Sequence, residues 1–265
     1  MNKIKEHYAR IAGEFGASKQ STMKDEFVRE KEVEKLIEQI GILKKQFKGK
    51  PKILEIGCGN GYTAERIVKE LDLELTCIDF SKELLEVANK RNLEKAQFKL
   101  GDAQNLEFED ESFNIVFTER CIINLKTWEN QKKALNEIHR VLKKEGVFLM
   151  IEAFTDGLKN LNDAREAVGL KPIEQPFHNN YLDKEKFLEF IENKFERNNK
   201  NQNLENFLSS YYFGSRALYA ALIEGKKELV YNNKFIEFFK YLPPYGNYSY
   251  VQMLILKKIN PASSK

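Results

Sequence analysis

Gly57, Gly59 and Gly61 stand at alternate positions between the apolar run ILEI and the helix-forming stretch YTAERI. A buried strand that turns through bare backbone into a helix opens a strand–helix–strand unit, and it commits this part of the chain to an α/β sheet. The segments that follow keep the alternation. ELTCIDF (74–80) reads as a strand, Ser81 as the N-cap of the next helix, and AQFKL (96–100) and FNIVFTE (113–119) as further strands. WENQKKALNEIHRVLKK (128–144) has helical spacing, Gly146 ends it, and VFLMIEAF (147–154) is another apolar strand. Near-continuous apolar strands separated by helices predict a mostly parallel sheet with helices on both faces.

Upstream, Val33, Leu36, Ile37, Ile40, Leu43 and Phe47 recur at helical spacing over 26–47, until Gly49 and Pro51 break the pattern. Past Asp156 the repeat loosens into a polar, Asn-rich stretch with a helix near 183–195. LENFLSSYYFGSRAL (204–218) and YVQMLILKK (250–258) read as the last two strands, with a helical insert and the loop PPYGNY between them. With no internal repeat or low-complexity linker, 1–265 reads as one domain. Its parts are a lid and helix (1–47), a ligand-binding core (52–155), an insertion (156–203) and the last two strands (204–258).

The 42% of hydrophobic residues suffices for a real core. Lys and Arg number 43 against 40 Asp and Glu, and a net charge of +3 offers no field that would hold a nucleic-acid backbone, so constitutive nucleic-acid binding is not expected. No apolar run approaches the roughly 18 residues that cross a bilayer, and MNKIKEHYAR lacks the apolar centre of a secretory leader. The expected location is the cytoplasm, without membrane contact. Cys58, Cys77 and Cys121 are too few and too far apart for a disulfide framework or a Cys-x-x-Cys metal site, so no metal is expected.

The glycine spacing is G-x-G-x-G, whereas a dinucleotide-binding turn needs a small residue where this chain has Tyr62. Glu55, just before the turn, repels phosphate. S-adenosylmethionine (SAM) carries no phosphate, and its binding calls for glycine clearance, partners for its ammonium group and a carboxylate for the ribose hydroxyls. Asp79 ends the second strand and can accept hydrogen bonds from both hydroxyls. In GDAQNL after the third strand, Asp102 is placed to accept the adenine amino proton and the Ala103 amide to donate to a ring nitrogen, with Phe80 beside the base.

Together EIGCGNG, the strand end at Asp79, the Gly101-Asp102-Ala103 turn, and FNIVFTERCIINL followed by EIHRVLKKEGVFLMIE resemble the class I SAM-dependent methyltransferases over roughly residues 52 to 155. The resemblance implies a Rossmann-like sheet of seven strands, mostly parallel with an antiparallel last strand, helices on both faces and lid insertions. It implies SAM as cofactor and S-adenosylhomocysteine as product, held by Glu55, Gly57, Cys58, Gly59, Asp79, Phe80, Asp102, Ala103 and Glu119. Glu119 and Arg120, at the carboxyl end of the fourth strand, would line the methionine part of SAM or the acceptor pocket and take part in catalysis. HYARIAGEFGASKQSTMKDEFVRE resembles the lid of small-molecule methyltransferases, with Tyr8 and Arg29 closing over the SAM carboxylate.

His178 in QPFHNNY, beside Asn179, is the preferred base or acceptor ligand, since an unperturbed histidine titrates near neutrality. Tyr211, Tyr212, Arg216 and Tyr245 would wall the acceptor from the other side. His7 and His139 read as structural or solvated. The expected reaction is methylation of an oxygen on a small polar acceptor by a monomer or homodimer. The overall style is similar to bacterial methyltransferases that modify sugars or phosphoryl groups of surface polysaccharides, including phosphoramidate capsule decoration. An RNA or protein methyltransferase, or a non-catalytic SAM-binding module, remain the alternatives.

Overall fold

A computed structural model describes residues 2–18, 25–198, 202–223 and 233–259. In chain order the elements are α1 (Asn2–Phe15), α2 (Glu26–Leu43), β1 (Ile53–Ile56), α3 (Tyr62–Leu71), β2 (Leu75–Asp79), α4 (Lys82–Asn89), β3 (Ala96–Leu100) and β4 (Phe113–Glu119). Then follow α5 (Trp128–Val141), β5 (Leu142–Ala153), α6 (Thr155–Glu166), α7 (Lys184–Ile191), β6 (Phe195–Arg197) and α8 (Gln202–Glu205). The chain continues through α9 (Ser209–Phe213), a π-helical turn (Gly214–Leu218), α10 (Tyr219–Ile223), α11 (Lys234–Phe239) and β7 (Val251–Lys258).

The strands form one seven-stranded sheet in the order β3-β2-β1-β4-β5-β7-β6, parallel except for β7, which is antiparallel to both neighbours. The chain builds outward from β1 to β3 and then returns to lay β4 on the other side of β1. That reversal parts the loops at the carboxyl ends of β1 and β4 and leaves a crevice there.

Alternation along the strands divides the core between the two faces. Ile53, Cys77, Ile115, Phe117, Leu149 and Met253 pack under α2, α3, α9 and α11. Leu54, Ile56, Ile78, Val116, Phe148 and Leu254 pack under α5 and α7. The helices are started by side chains that satisfy otherwise unpaired amides: Asp25 accepts from Val28 N, Ser81 from Leu84 N, Thr127 from Asn130 N and Asp183 from Lys186 N. On α2, Val28, Val33, Leu36, Ile40 and Leu43 are fully or almost fully buried. At roughly 1.5 to 3 kcal/mol for each large side chain, that stripe is what fixes the helix to the sheet.

Two sequence expectations are corrected. Residues 204–218 are mostly helical rather than a strand, and the strand at the sheet edge beside β7 is instead the short β6 at 195–197. Tyr and Phe favour strands locally, but Leu208, Tyr211, Tyr212, Ser215 and Arg216 are buried at helical spacing, and that tertiary demand prevails. The Asn-rich stretch past Asp156 also begins with the helix α6. Residues 19–24 of the expected lid and 224–232 of the expected helical insert lie outside the described residues.

α1 lies across the crevice. Tyr8, Ile11 and Ala12 pack with Leu84, Phe15 and Phe80. Its trailing end is tied to the glycine turn, because Asn60 Nδ2 donates to Gly16 O (2.9 Å) and Ser18 O (3.0 Å), and Arg91 donates to Ala17 O (2.7 Å).

Candidate active site

The three glycines of the turn take φ of 81°, 52° and 74°, the left-handed region where side chains are disfavoured. They differ in what a side chain would meet. A Cβ on Gly57 would lie 2.7 Å from Cys121, so β1 and β4 close against each other there, whereas a Cβ on Gly59 meets only open space. Asp79 is joined to this turn: its Oδ2 accepts from Gly59 N (2.8 Å) and its Oδ1 from Ser81 N (2.9 Å). Burial pushes the Asp79 carboxyl up to about 6 despite those amides.

Glu55 is buried beneath the turn, and its Oε2 has no partner. Burial, with Glu119 nearby, pushes its carboxyl up to about 8. Glu119 is bonded on both oxygens, by Arg29 Nη1 (2.5 Å) and by Thr63 Oγ1 (2.7 Å), and Arg29 Nη2 also donates to Thr63 (3.1 Å). The pairing brings α2, α3 and β4 to one point. Glu152, near the end of β5, accepts the backbone N–H groups of Cys121, Ile122 and Ile123 at 3.0, 3.0 and 3.3 Å, which holds the chain past β4 in place. Burial moves Glu152 up to about 7. Cys121 sits among Glu152, Asp79, Asp102 and Glu55, and burial with those carboxylates keeps its thiol protonated.

Tyr8 reaches in from α1. Its ring meets Phe80 edge-on at 5.5 Å and its hydroxyl lies beside Asn124, with burial and Asp79 raising its pKa. His178 stacks on His7 at 4.5 Å, which joins the 175–180 loop to α1. Burial, with His7 and Lys126, lowers His178 to about 4, and its Nδ1 is buried without a partner. A neutral imidazole so depressed is a poor proton acceptor, which argues against the role of general base. Asn179 accepts from Gln175 Nε2 through its backbone (2.8 Å) in the same loop.

Asp102 is exposed and caps its own turn, accepting from Gln104 N (2.9 Å), while Ala103 is buried. Cys58 is buried, with burial raising its thiol well above the usual range, so it is a packed small residue.

The residues expected to wall the acceptor divide. Arg216 and Tyr211 both bond to Asp25, through Nη2 at 2.7 Å and the hydroxyl at 2.9 Å, while Asp25 also caps α2. Their polar ends therefore serve a buried structural ion pair, a correction to their expected place on the acceptor. Tyr212 is buried beneath the Arg216 guanidinium, 4.0 Å from its ring centre. Tyr245 is 80% exposed and is not brought to the crevice. Sequence reasoning missed Glu32, Glu152, Asn60, Tyr181 and Tyr250. Arg120 bonds to Glu32 across 88 positions, and Tyr250 stacks on Tyr181 at 5.4 Å. Only their spatial meeting marks them.

Residues 53–146 match the family described as a methyltransferase domain. A demethylmenaquinone methyltransferase of Leptospira interrogans is 34% identical over 117 residues, covering 42% of this chain and 46% of that protein. The chain thus spans about half the length of the curated relatives it matches. Among solved structures, a Galdieria sulphuraria protein provisionally designated a sarcosine dimethylglycine methyltransferase aligns with 96% of this chain and 97% of its own, at a TM-score of 0.57 and 13% identity. The cyclase SpnF aligns with 84% of this chain and 80% of its own, at 0.53 and 21% identity. At such identities the likeness is one of fold alone, and a fold hosts more than one reaction.

Proposed function

We propose that the protein transfers a methyl group from SAM to a small ring-bearing molecule, a reading supported by the match of residues 53–146 to the methyltransferase-domain family and by the seven-stranded sheet that carries them. The observation that carries this reading is the acidic lining of the crevice. Glu55, Asp79, Glu119 and Glu152 are all buried at the carboxyl edge of β1, β2, β4 and β5. Such a floor disfavours the pyrophosphate of a dinucleotide and favours a ligand with cationic sulfonium and ammonium groups.

The residues present fit SAM. The open side of Gly59 leaves room against the backbone, Asp79 stands ready for ribose hydroxyls, and the unpartnered Glu55 Oε2 suits the ammonium group. Bound there, SAM supplies an electrophilic methyl group on a cationic sulfur. Tyr8, Asn124 and the His7–His178 pair cover the crevice and keep water from it.

A ring-bearing acceptor is supported by Tyr181, Tyr212 and Tyr250 beside Arg120, where Tyr181 stacks on Tyr250 and Tyr212 meets Tyr250 edge-on. The name of the Leptospira relative, a demethylmenaquinone methyltransferase, agrees with such an acceptor. A sugar-phosphoryl acceptor finds less support, because Arg29 and Arg216 are each engaged by a buried carboxylate, which leaves Arg120 alone of these three arginines to meet a doubly charged group. The test is a thermal-shift comparison followed by a labelled-methyl assay. SAM and S-adenosylhomocysteine are expected to raise the melting temperature and NAD to leave it unchanged. Stabilisation by NAD alone refutes the reading.

A further inference from the structure

Arg120 adopts φ of 53° one residue past β4, a costly conformation for a side chain with a Cβ. Its Nε (3.0 Å) and Nη2 (2.6 Å) both donate to one oxygen of Glu32, Oε1. Nη1 and Oε2 take no part in that pair, and Oε2 is buried without a partner. Glu32 is fully buried, while 23% of the Arg120 side chain stays accessible, so the pair is approached from the arginine side. Tyr212 and Tyr250 lie near the guanidinium, their rings 4.7 Å apart at 83°, and Tyr181 stacks on Tyr250 at 19°. An arginine gripped through one oxygen, with an N–H to spare and tyrosine hydroxyls near it, is an unfinished ion pair open to a second planar anion.

We infer that Arg120, backed by Glu32 and walled by Tyr181, Tyr212 and Tyr250, is the subsite of the methyl acceptor; that the acceptor is a planar ring carrying an anionic oxygen; and that its arrival is matched by uptake of one proton at Glu32. The inference rests on the methyl-transfer reading for the use to which the ligand is put.

Charge balance supports the coupling. A ligand anion beside an ionised Glu32 would set two negative charges on one buried cation, and a proton from water on Glu32 removes the excess. Burial holds Glu32 up at about 7 against the pull of Arg120 and Arg29, with Glu119 adding to the rise. The proton is therefore accessible near neutral pH. Tyr212, facing from α9, stays protonated through burial and the nearness of Tyr250. An acceptor that arrives ionised also needs no general base, in keeping with the depressed His178.

The experiment is titration calorimetry of the full chain loaded with S-adenosylhomocysteine, with benzoate and 4-nitrophenolate as separate probes. It is run at about pH 8 in two buffers of different ionisation enthalpy. At least one probe is expected to bind with uptake approaching one proton, and its affinity to fall about tenfold per pH unit above the Glu32 midpoint. Which probe binds separates a ring carboxylate from a phenolate. Glu32→Gln is expected to abolish the uptake and the pH dependence and to bind the anion more tightly at alkaline pH. Arg120→Gln is expected to lose the anion while keeping S-adenosylhomocysteine. A binding enthalpy independent of buffer in the wild-type chain, or failure of both probes to bind, overturns the inference without need of any variant. Failure of S-adenosylhomocysteine to bind counts instead against the methyl-transfer reading, and the anion titration on the same sample still decides the subsite.

Discussion

Asp79 accepts the Gly59 amide at 2.8 Å, so the acid that ends β2 is fastened to the glycine turn that ends β1 before any ligand arrives. The carboxylate is fixed in position, and only its remaining acceptor capacity is left for a sugar hydroxyl. Asp79→Ala is expected to weaken SAM binding by about 10- to 100-fold, the loss of one or two charge-assisted hydrogen bonds. Calorimetry reads this directly, and unchanged affinity would show that the ribose lies elsewhere.

Two neighbouring glycines should respond differently to the same methyl group. Gly57→Ala drives a Cβ to 2.7 Å from Cys121 on a backbone of φ 81°, and is expected to lower stability by roughly 2 kcal/mol or more. Gly59→Ala meets open space and should cost only about 1 kcal/mol of backbone strain while obstructing the cofactor. Urea unfolding and SAM titration of both variants check the contrast; equal stability losses would refute it.

Arg29 neutralises a buried Glu119, and their side chains are 10% and 4% exposed. Arg29→Met leaves that carboxylate unpaired and is expected to cost roughly 3 kcal/mol or more. Replacing both partners, as Arg29→Met with Glu119→Leu, should recover much of that loss. A double variant no more stable than the single one would show that the cost lies in packing rather than charge.

Buried acids give the stability a definite pH slope. Glu55, Glu32 and Glu152 are raised to about 8, 7 and 7. The folded chain therefore keeps protons that the unfolded chain has released, and stability is lost as pH rises through those values. His178, lowered to about 4, acts oppositely, but only below about 6.5. The melting temperature of the ligand-free protein should therefore fall between about pH 6.5 and 8.5. SAM should raise it more at the upper pH, where the acids are ionised, and S-adenosylhomocysteine, without the sulfonium charge, less so. A flat melting profile would mean that these carboxylates are solvated.

His178→Ala should not remove a neutral limb from the pH–rate profile, because the imidazole is already unprotonated there. Its effect is expected in KM, through the lost stacking on His7. A pH limb near 6 to 7 that vanishes in the variant would restore the histidine as a base.

Much of the fold was legible because its signals are local. The glycines, Ser81 as a cap, and the apolar strands fixed β1 to β4 within a residue or two. The 204–218 segment misled because aromatic residues carry strand propensity, while the helical spacing of Leu208, Tyr212 and Arg216 shows its meaning only against a core. In the site, Asp79 and Glu119 could be read from their places at strand ends. The partners of Arg120 and Arg216 could not, since Glu32 and Asp25 lie 88 and 191 positions away and no spacing rule spans such distances.

Asn60 lies between two glycines of the turn and clasps the carbonyls of Gly16 and Ser18. The amino-terminal helix therefore cannot swing aside without slackening the loop on which an adenosyl ligand would rest. Unlatching and unloading become one movement, and a spent ligand loses its grip in the act of gaining its exit.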